Sequence, residues 1–151
     1  MWTESDREMM DLAISEARIA LSEGEIPVGA VIVKNGQVIA RARNTRETRN
    51  DPTGHAEINA LRMAAKAIGT WRLSGCTIYV TLEPCCMCAS AIMQARLARV
   101  VFGAYDQQVG GCGSLYRLTE DPAFNHYVPA DGGLMEAECR ALMNEALVSK
   151  R

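Results

Sequence analysis

The sequence predicts an α/β layered domain in which helices cover a mixed central sheet. Three observations carry this expectation. Apolar residues recur at helical spacing near the N-terminus, two strand-like runs are joined by Asn35-Gly36, and further β-branched runs alternate with helix-length segments. The sheet must be mixed because its first pair is a hairpin, whereas the later strands are separated by helices. With 151 residues, 48% of them hydrophobic, and no Pro/Gly/Ser-rich linker, residues 1–151 suit one domain with a substantial core.

Ser5 and Glu8 fit a capping box, and Met10, Ala13, Ile14, Ala17 and Leu21 follow at helical spacing until Gly24. Pro27 to Val33 reads as a buried strand, Asn35-Gly36 as a two-residue turn, and Gln37 to Arg43 as the returning strand. After a polar stretch, His55 opens a helix that carries Ile58, Leu61, Ala64, Ala65 and Ile68 on one face and stops at Gly69. Thr77 to Leu82 is β-branched and aromatic, Cys88 to Leu97 is helix-compatible, and Arg99 to Phe102 is another strand. Gly103 to Gly113 is expected to be a loop, and the last helix to span Met135 to Leu147.

The formal net charge is −2, so no global basic character announces a polyanion partner, and any nucleic-acid contact must be local. Arg41, Arg43, Arg46 and Arg49 supply such a local cluster for phosphates, with a solvated strand edge as the competing explanation. The charged N-terminus lacks a signal-peptide pattern and no run approaches transmembrane length, so a soluble, unexported protein is expected. Of six cysteines, Cys85, Cys86 and Cys88 crowd too closely to staple distant loops, which favours metal binding there. Cys76, Cys112 and Cys139 read as ordinary buried thiols.

The chemistry is concentrated in His55-Ala56-Glu57 and Pro84-Cys85-Cys86-Met87-Cys88. Cys85 and Cys88 stand at i and i+3, so both can face one ion from the first turn of a helix, whose N-terminus also favours thiolate. His55 provides the third donor that a lone C-x-x-C lacks. Three such donors hold Zn²⁺ tetrahedrally and leave the fourth corner to water, the arrangement of a catalytic site. Glu57 is then the proton carrier between water, a ring nitrogen and departing ammonia. The order H-x-E then P-C-x-x-C is an established signature of zinc nucleobase deaminases. The bland alternative makes His55 and Glu57 helix caps and the cysteines core or structural ligands.

Over nearly its whole length the chain resembles the cytidine deaminase-like superfamily and, within it, the bacterial tRNA-specific adenosine deaminases. Beyond the two motifs, the resemblance is carried by Glu25 to Val31, Asn44, Asp51 to Ile58, Trp71-Arg72-Leu73, Tyr79 to Cys88, Val101 to Ala104, Asp106, Gly113-Ser114-Leu115 and Asn125-His126. It implies a three-layer α/β/α sandwich, one zinc ion per chain, a homodimer, a cytoplasmic setting, and hydrolysis of the wobble adenosine of a tRNA anticodon loop to inosine. By the same resemblance Asn44 would hydrogen-bond the flipped adenine, and Ile26, Pro27 and Val28 would form a wall against its ring. Asp106, Asn125 and His126 would lie near the anticodon strand. A turn role for Asn44 is the competing reading. The chain departs from the family pattern at Gly54, a mild change that should leave zinc binding intact, and at Gln107-Gln108 and in a tail ending Ala146-Leu147-Val148-Ser149-Lys150-Arg151, both of which remove potential RNA contacts. A free-base or nucleoside deaminase of guanine or cytosine type shares the zinc site, and a non-catalytic zinc-stabilised RNA-binding module is the rival from another class.

Overall fold

The computed structural model describes residues 1–149; Lys150 and Arg151, the end of that tail, lie outside the described residues. Helix α1 (Glu4–Ser22) has its N-cap at Thr3, two residues before the expected cap. Thr3, in extended conformation, accepts the Asp6 N–H at 3.0 Å, and the Asp6 carboxylate accepts the Thr3 N–H at 3.0 Å. The box therefore uses Thr3 and Asp6 in place of Ser5 and Glu8. The physical reason is tertiary: Asp6 also accepts from Tyr79 and Arg99, so burial of this acid fixes the register of the first turn.

Strand β1 (Gly29–Lys34) begins later than expected, because Val28 turns back to donate to the Ile26 carbonyl at 2.8 Å. Asn35 and Gly36 have φ of 51° and 76°, the left-handed pair that a tight hairpin turn requires, and β2 (Gln37–Arg43) returns antiparallel. Helix α2 (Ala56–Ile68) runs from His55 as N-cap to Gly69 as C-cap and leads to β3 (Cys76–Leu82). Helix α3 (Cys86–Gln94) has Cys85 as its N-cap, so it starts and ends earlier than the hydrophobic pattern suggests. Strand β4 (Arg99–Ala104) reaches two residues into the expected loop. A short 3-10 helix (Leu118–Glu120) and strand β5 (Ala130–Gly132) were not expected, and α4 (Glu136–Ser149) is the last element among the described residues.

The sheet order is β2-β1-β3-β4-β5, with β1 antiparallel to both neighbours and β4 parallel to β3 and β5, a mixed sheet as expected. Alternate residues of the central strands feed two cores. Ile32, Ile78, Val80, Val100 and Phe102 pack with the residues of α2 and α3, while Val31, Tyr79 and Val101 pack with Met10, Ile14, Leu134 and Leu142 from the α1 and α4 side. Helices thus cover both faces, which gives the three-layer α/β/α sandwich. Among the described residues no helix is long and apolar enough to cross a membrane. The C-terminal end of β3 leads directly into Pro84 and α3, and the N-terminus of α2 lies beside it, so two helix starts meet at one edge of the sheet.

Candidate active site

His55 and Cys85 are the N-caps of α2 and α3, and neither side chain caps its own helix. Both are free to turn toward each other. The His55 Nδ1 lies 3.6 Å from Cys85 Sγ and 3.4 Å from Cys88 Sγ, and the three donor atoms all fall within 4.8 Å of one another. In a tetrahedral shell with bonds of 2.0–2.3 Å, neighbouring donors stand about 3.4–3.8 Å apart, so the spacing and the donor types fit zinc. Cys86 is half-buried and Met87 exposed, and neither joins the cluster. Cys76, Cys112 and Cys139 are buried and unpaired with other cysteines, as the sequence suggests.

Protonation around the cluster is strongly uneven. The hydrogen bond from Cys88 brings the Cys85 thiol down to about 4 against the opposing effect of burial, and His55 adds to the lowering. Cys88 moves upward as the donor in that bond and through its burial. His55 is held above its ordinary value by Cys85, which outweighs burial. Glu57 sits on the first turn of α2 and is only 4% exposed; burial raises its carboxyl to about 7, with its own backbone N–H pulling the other way. A thiolate ready for metal and a carboxyl able to carry a proton are thus adjacent.

These groups open onto a cavity of about 350 Å³. Of the residues proposed from sequence, Ile26, Val28, Asn44, His55, Glu57, Cys85 and Asp106 line it. The Asn44 amide donates to the Ile26 carbonyl at 3.4 Å, and its oxygen accepts the Arg46 N–H at 3.1 Å. It is a turn residue and a cavity residue at once, with one N–H and one lone pair still uncommitted. Pro27 is buried next to the cavity wall and does not line it. Asn125 is exposed elsewhere, and His126 Nε2 donates to the Leu97 carbonyl at 3.0 Å, beyond the far end of α3. Arg41 and Arg43 pair with Glu16 at 3.3 Å, and Arg43 also pairs with Glu23 at 2.8 Å. Only Arg46 of the arginine cluster faces the cavity.

Two buried acids that the sequence reading left without a role hold the cavity walls. Glu83, 2% exposed, accepts from the backbone N–H groups of Asp106 at 3.0 Å, Cys112 at 3.1 Å and Ser114 at 2.9 Å, and from the Ser114 hydroxyl. The loop passes so close that a Cβ at Gly110 would meet the Glu83 carboxyl at 2.4 Å. Glu25, 1% exposed, accepts from the Glu47 and Thr48 N–H groups and holds the loop that carries Asn44 and Arg46. The signal available in sequence was a glutamate beside each motif, Glu25 before Ile26 and Glu83 before Pro84.

The model of the MafB19-like deaminase family matches residues 4–126. A tRNA-specific adenosine deaminase of Bacillus subtilis (strain 168) is 48% identical over 139 residues, 92% of this chain and 86% of that protein. A structure from a study of A-to-I editing by tRNA:A34 deaminases at the wobble position of transfer RNA is similar, with a TM-score of 0.86 and 45% identity, over 89% of this chain and 98% of that one. A guanine deaminase from Bacillus subtilis is similar with a TM-score of 0.64 and 36% identity, over 81% of each chain. With that share of its length matched, the chain belongs to the MafB19-like deaminase family and, within it, to the tRNA-specific adenosine deaminases.

Proposed function

We propose that this chain hydrolyses the wobble adenosine of a tRNA anticodon loop at adenine C6, yielding inosine and ammonia, with one zinc ion held by His55, Cys85 and Cys88. The observation that carries the reading is the buried Glu57 carboxyl beside the donor cluster, on a cavity that the Asn44 amide also lines. Zinc bound there supplies the Lewis acidity that makes water a nucleophile at neutral pH. Glu57 takes one water proton and delivers it to the adjacent ring nitrogen as the C–O bond forms, then takes the remaining proton from the new C6 hydroxyl and passes it to the amino group as the C–N bond breaks, leaving the C6 carbonyl and ammonia. The free N–H and lone pair of Asn44 face the purine edge, and Ile26 and Val28 flank the ring.

A cavity of about 350 Å³ is at the small end of ligand sites, so one extruded base enters and its backbone stays outside. Asp106 is placed at the cavity for the reacting nucleotide, while Asn125 and His126 stay in the reading only as contacts to flanking nucleotides. A homodimer is the assembly this reading carries, supported by the exposed apolar side chains of Val109, Leu115 and Tyr116 on one loop. The cytoplasm is the compartment where such a substrate is met.

Incubation with an anticodon stem-loop carrying adenosine at the wobble position, followed by sequencing, should show inosine. Glu57→Ala should keep zinc by metal analysis yet lose turnover by at least about 10²-fold. Ammonia from free guanine or cytosine with none from the RNA would overturn the substrate, and retained turnover in Glu57→Ala would overturn the mechanism.

A further inference from the structure

We propose that a groove between edge strand β2 and the outer face of α2 binds the phosphodiester backbone of RNA flanking the deaminated nucleotide, an inference that rests on the RNA substrate proposed above. The groove, about 320 Å³, is lined by Arg41, Arg43, Arg49, Arg62 and Lys66, with Asp51 as its acidic member. Five cations meet there on a chain whose net charge is −2.

Their pairing is unequal. Arg41 and Arg43 are tied to Glu16 and Glu23 of the α1 end, and Arg62 meets Asp51 only at 3.9 Å. Among the described residues Arg49 and Lys66 make no ion pair, and both are exposed. Lys66 gives up no ion-pair partner when a phosphate arrives, and Arg49 gives up only its longer-range attraction to Asp51.

The groove also has the right address. Asn44 and Arg46 line the catalytic cavity, whereas Thr45, Arg49 and Asp51 of the same loop line the groove, so the two sites are the two sides of one short segment. That segment is held in shape by the buried Glu25 and by the Thr45 N–H bond to the Gly54 carbonyl at 2.8 Å. A strand whose base enters the cavity must run its backbone past this loop, and the groove offers positive charge where it leaves. Contacts of this type position the substrate and read no sequence.

The test is the salt dependence of binding to the anticodon stem-loop RNA for the wild type, the Arg49→Ala/Lys66→Ala double variant, and Lys34→Ala. Lys34 ends β1 beside Cys76, at the opposite end of the sheet, and serves as the charge control. Each single-strand phosphate contact contributes about 0.7 to the slope of log K against log salt, so the double variant should lose about 1.4 and show a several-fold higher KM. Lys34→Ala should keep the wild-type slope, and Lys66→Arg should keep it too. A folded double variant that makes inosine with the wild-type slope and KM overturns the groove alone. A wild-type protein that deaminates a free base and no RNA overturns the functional reading, and the groove with it.

Discussion

Glu83 shows how much of a site can depend on one buried side chain. Each of its carboxylate oxygens accepts at least two hydrogen bonds, and all come from the loop that carries Asp106 to the cavity. The same loop is fastened to the start of the cysteine motif, since the Gly111 N–H donates to the Pro84 carbonyl at 2.8 Å. Glu83→Gln would turn an amide NH₂ toward backbone N–H groups, and a buried clash of donors costs about 1–3 kcal/mol. Chemical denaturation should show a loss of that size, and RNA kinetics a raised KM as Asp106, Gln108 and Val109 lose their position. An unchanged midpoint and KM would mean that the loop is held by its own backbone bonds. This anchor was not legible in the sequence because its partners are backbone N–H groups, which carry no residue signature. The clustering of His55, Cys85 and Cys88 with Glu57 beside them was legible for the opposite reason: donors of ligand type at fixed spacing restrict residue type and position together. Asn125 and His126 were matched as motif positions only, and no local chemistry in the sequence placed His126 against the Leu97 carbonyl.

At the scale of elements, pattern located the helices and strands well and their ends less well. The Asn35-Gly36 hairpin and the Gly69 stop were readable because backbone conformation there selects residue type. Strand β5 was not, since Ala-Asp-Gly has no strand propensity and is recruited by pairing with β4. The first cap was misplaced at Ser5 and Glu8, which fit the box spacing, whereas the structure uses Thr3 and Asp6, a register set by the tertiary bonds of Asp6 that local sequence does not carry. Thr3→Ala should therefore lower stability by about 1 kcal/mol, while Ser5→Ala, on an exposed helical position, should change it by under about 0.5 kcal/mol. Urea midpoints of the two variants measure this directly, and the reverse ranking would return the cap to Ser5.

Asp6 also links layers of the whole molecule. From the start of α1 it accepts the Tyr79 hydroxyl of β3 at 2.8 Å and the Arg99 guanidinium of β4 at 3.0 Å, while accepting the Thr3 N–H. Burial alone would raise its carboxyl, but these hydrogen bonds and the Arg99 charge outweigh it and bring the group from 3.8 to about 2. Tyr79 moves up to about 12, first through burial and then through Asp6, well outside the acid range. Because the Asp6 value is depressed on folding, its contribution is fully present above pH 3.8 and is lost as pH falls through about 2. A shift of this size corresponds to about 2 kcal/mol at neutral pH. Asp6→Asn should be less stable than wild type by at least that amount at pH 7, with the gap narrowing between pH 4 and pH 2. Acid effects at other groups are shared by both proteins, so the difference between their urea-derived stabilities at each pH isolates the Asp6 contribution. A gap that stays constant down to pH 2 would show that the carboxyl joins α1 to the sheet by packing alone, with no net contribution from its charge.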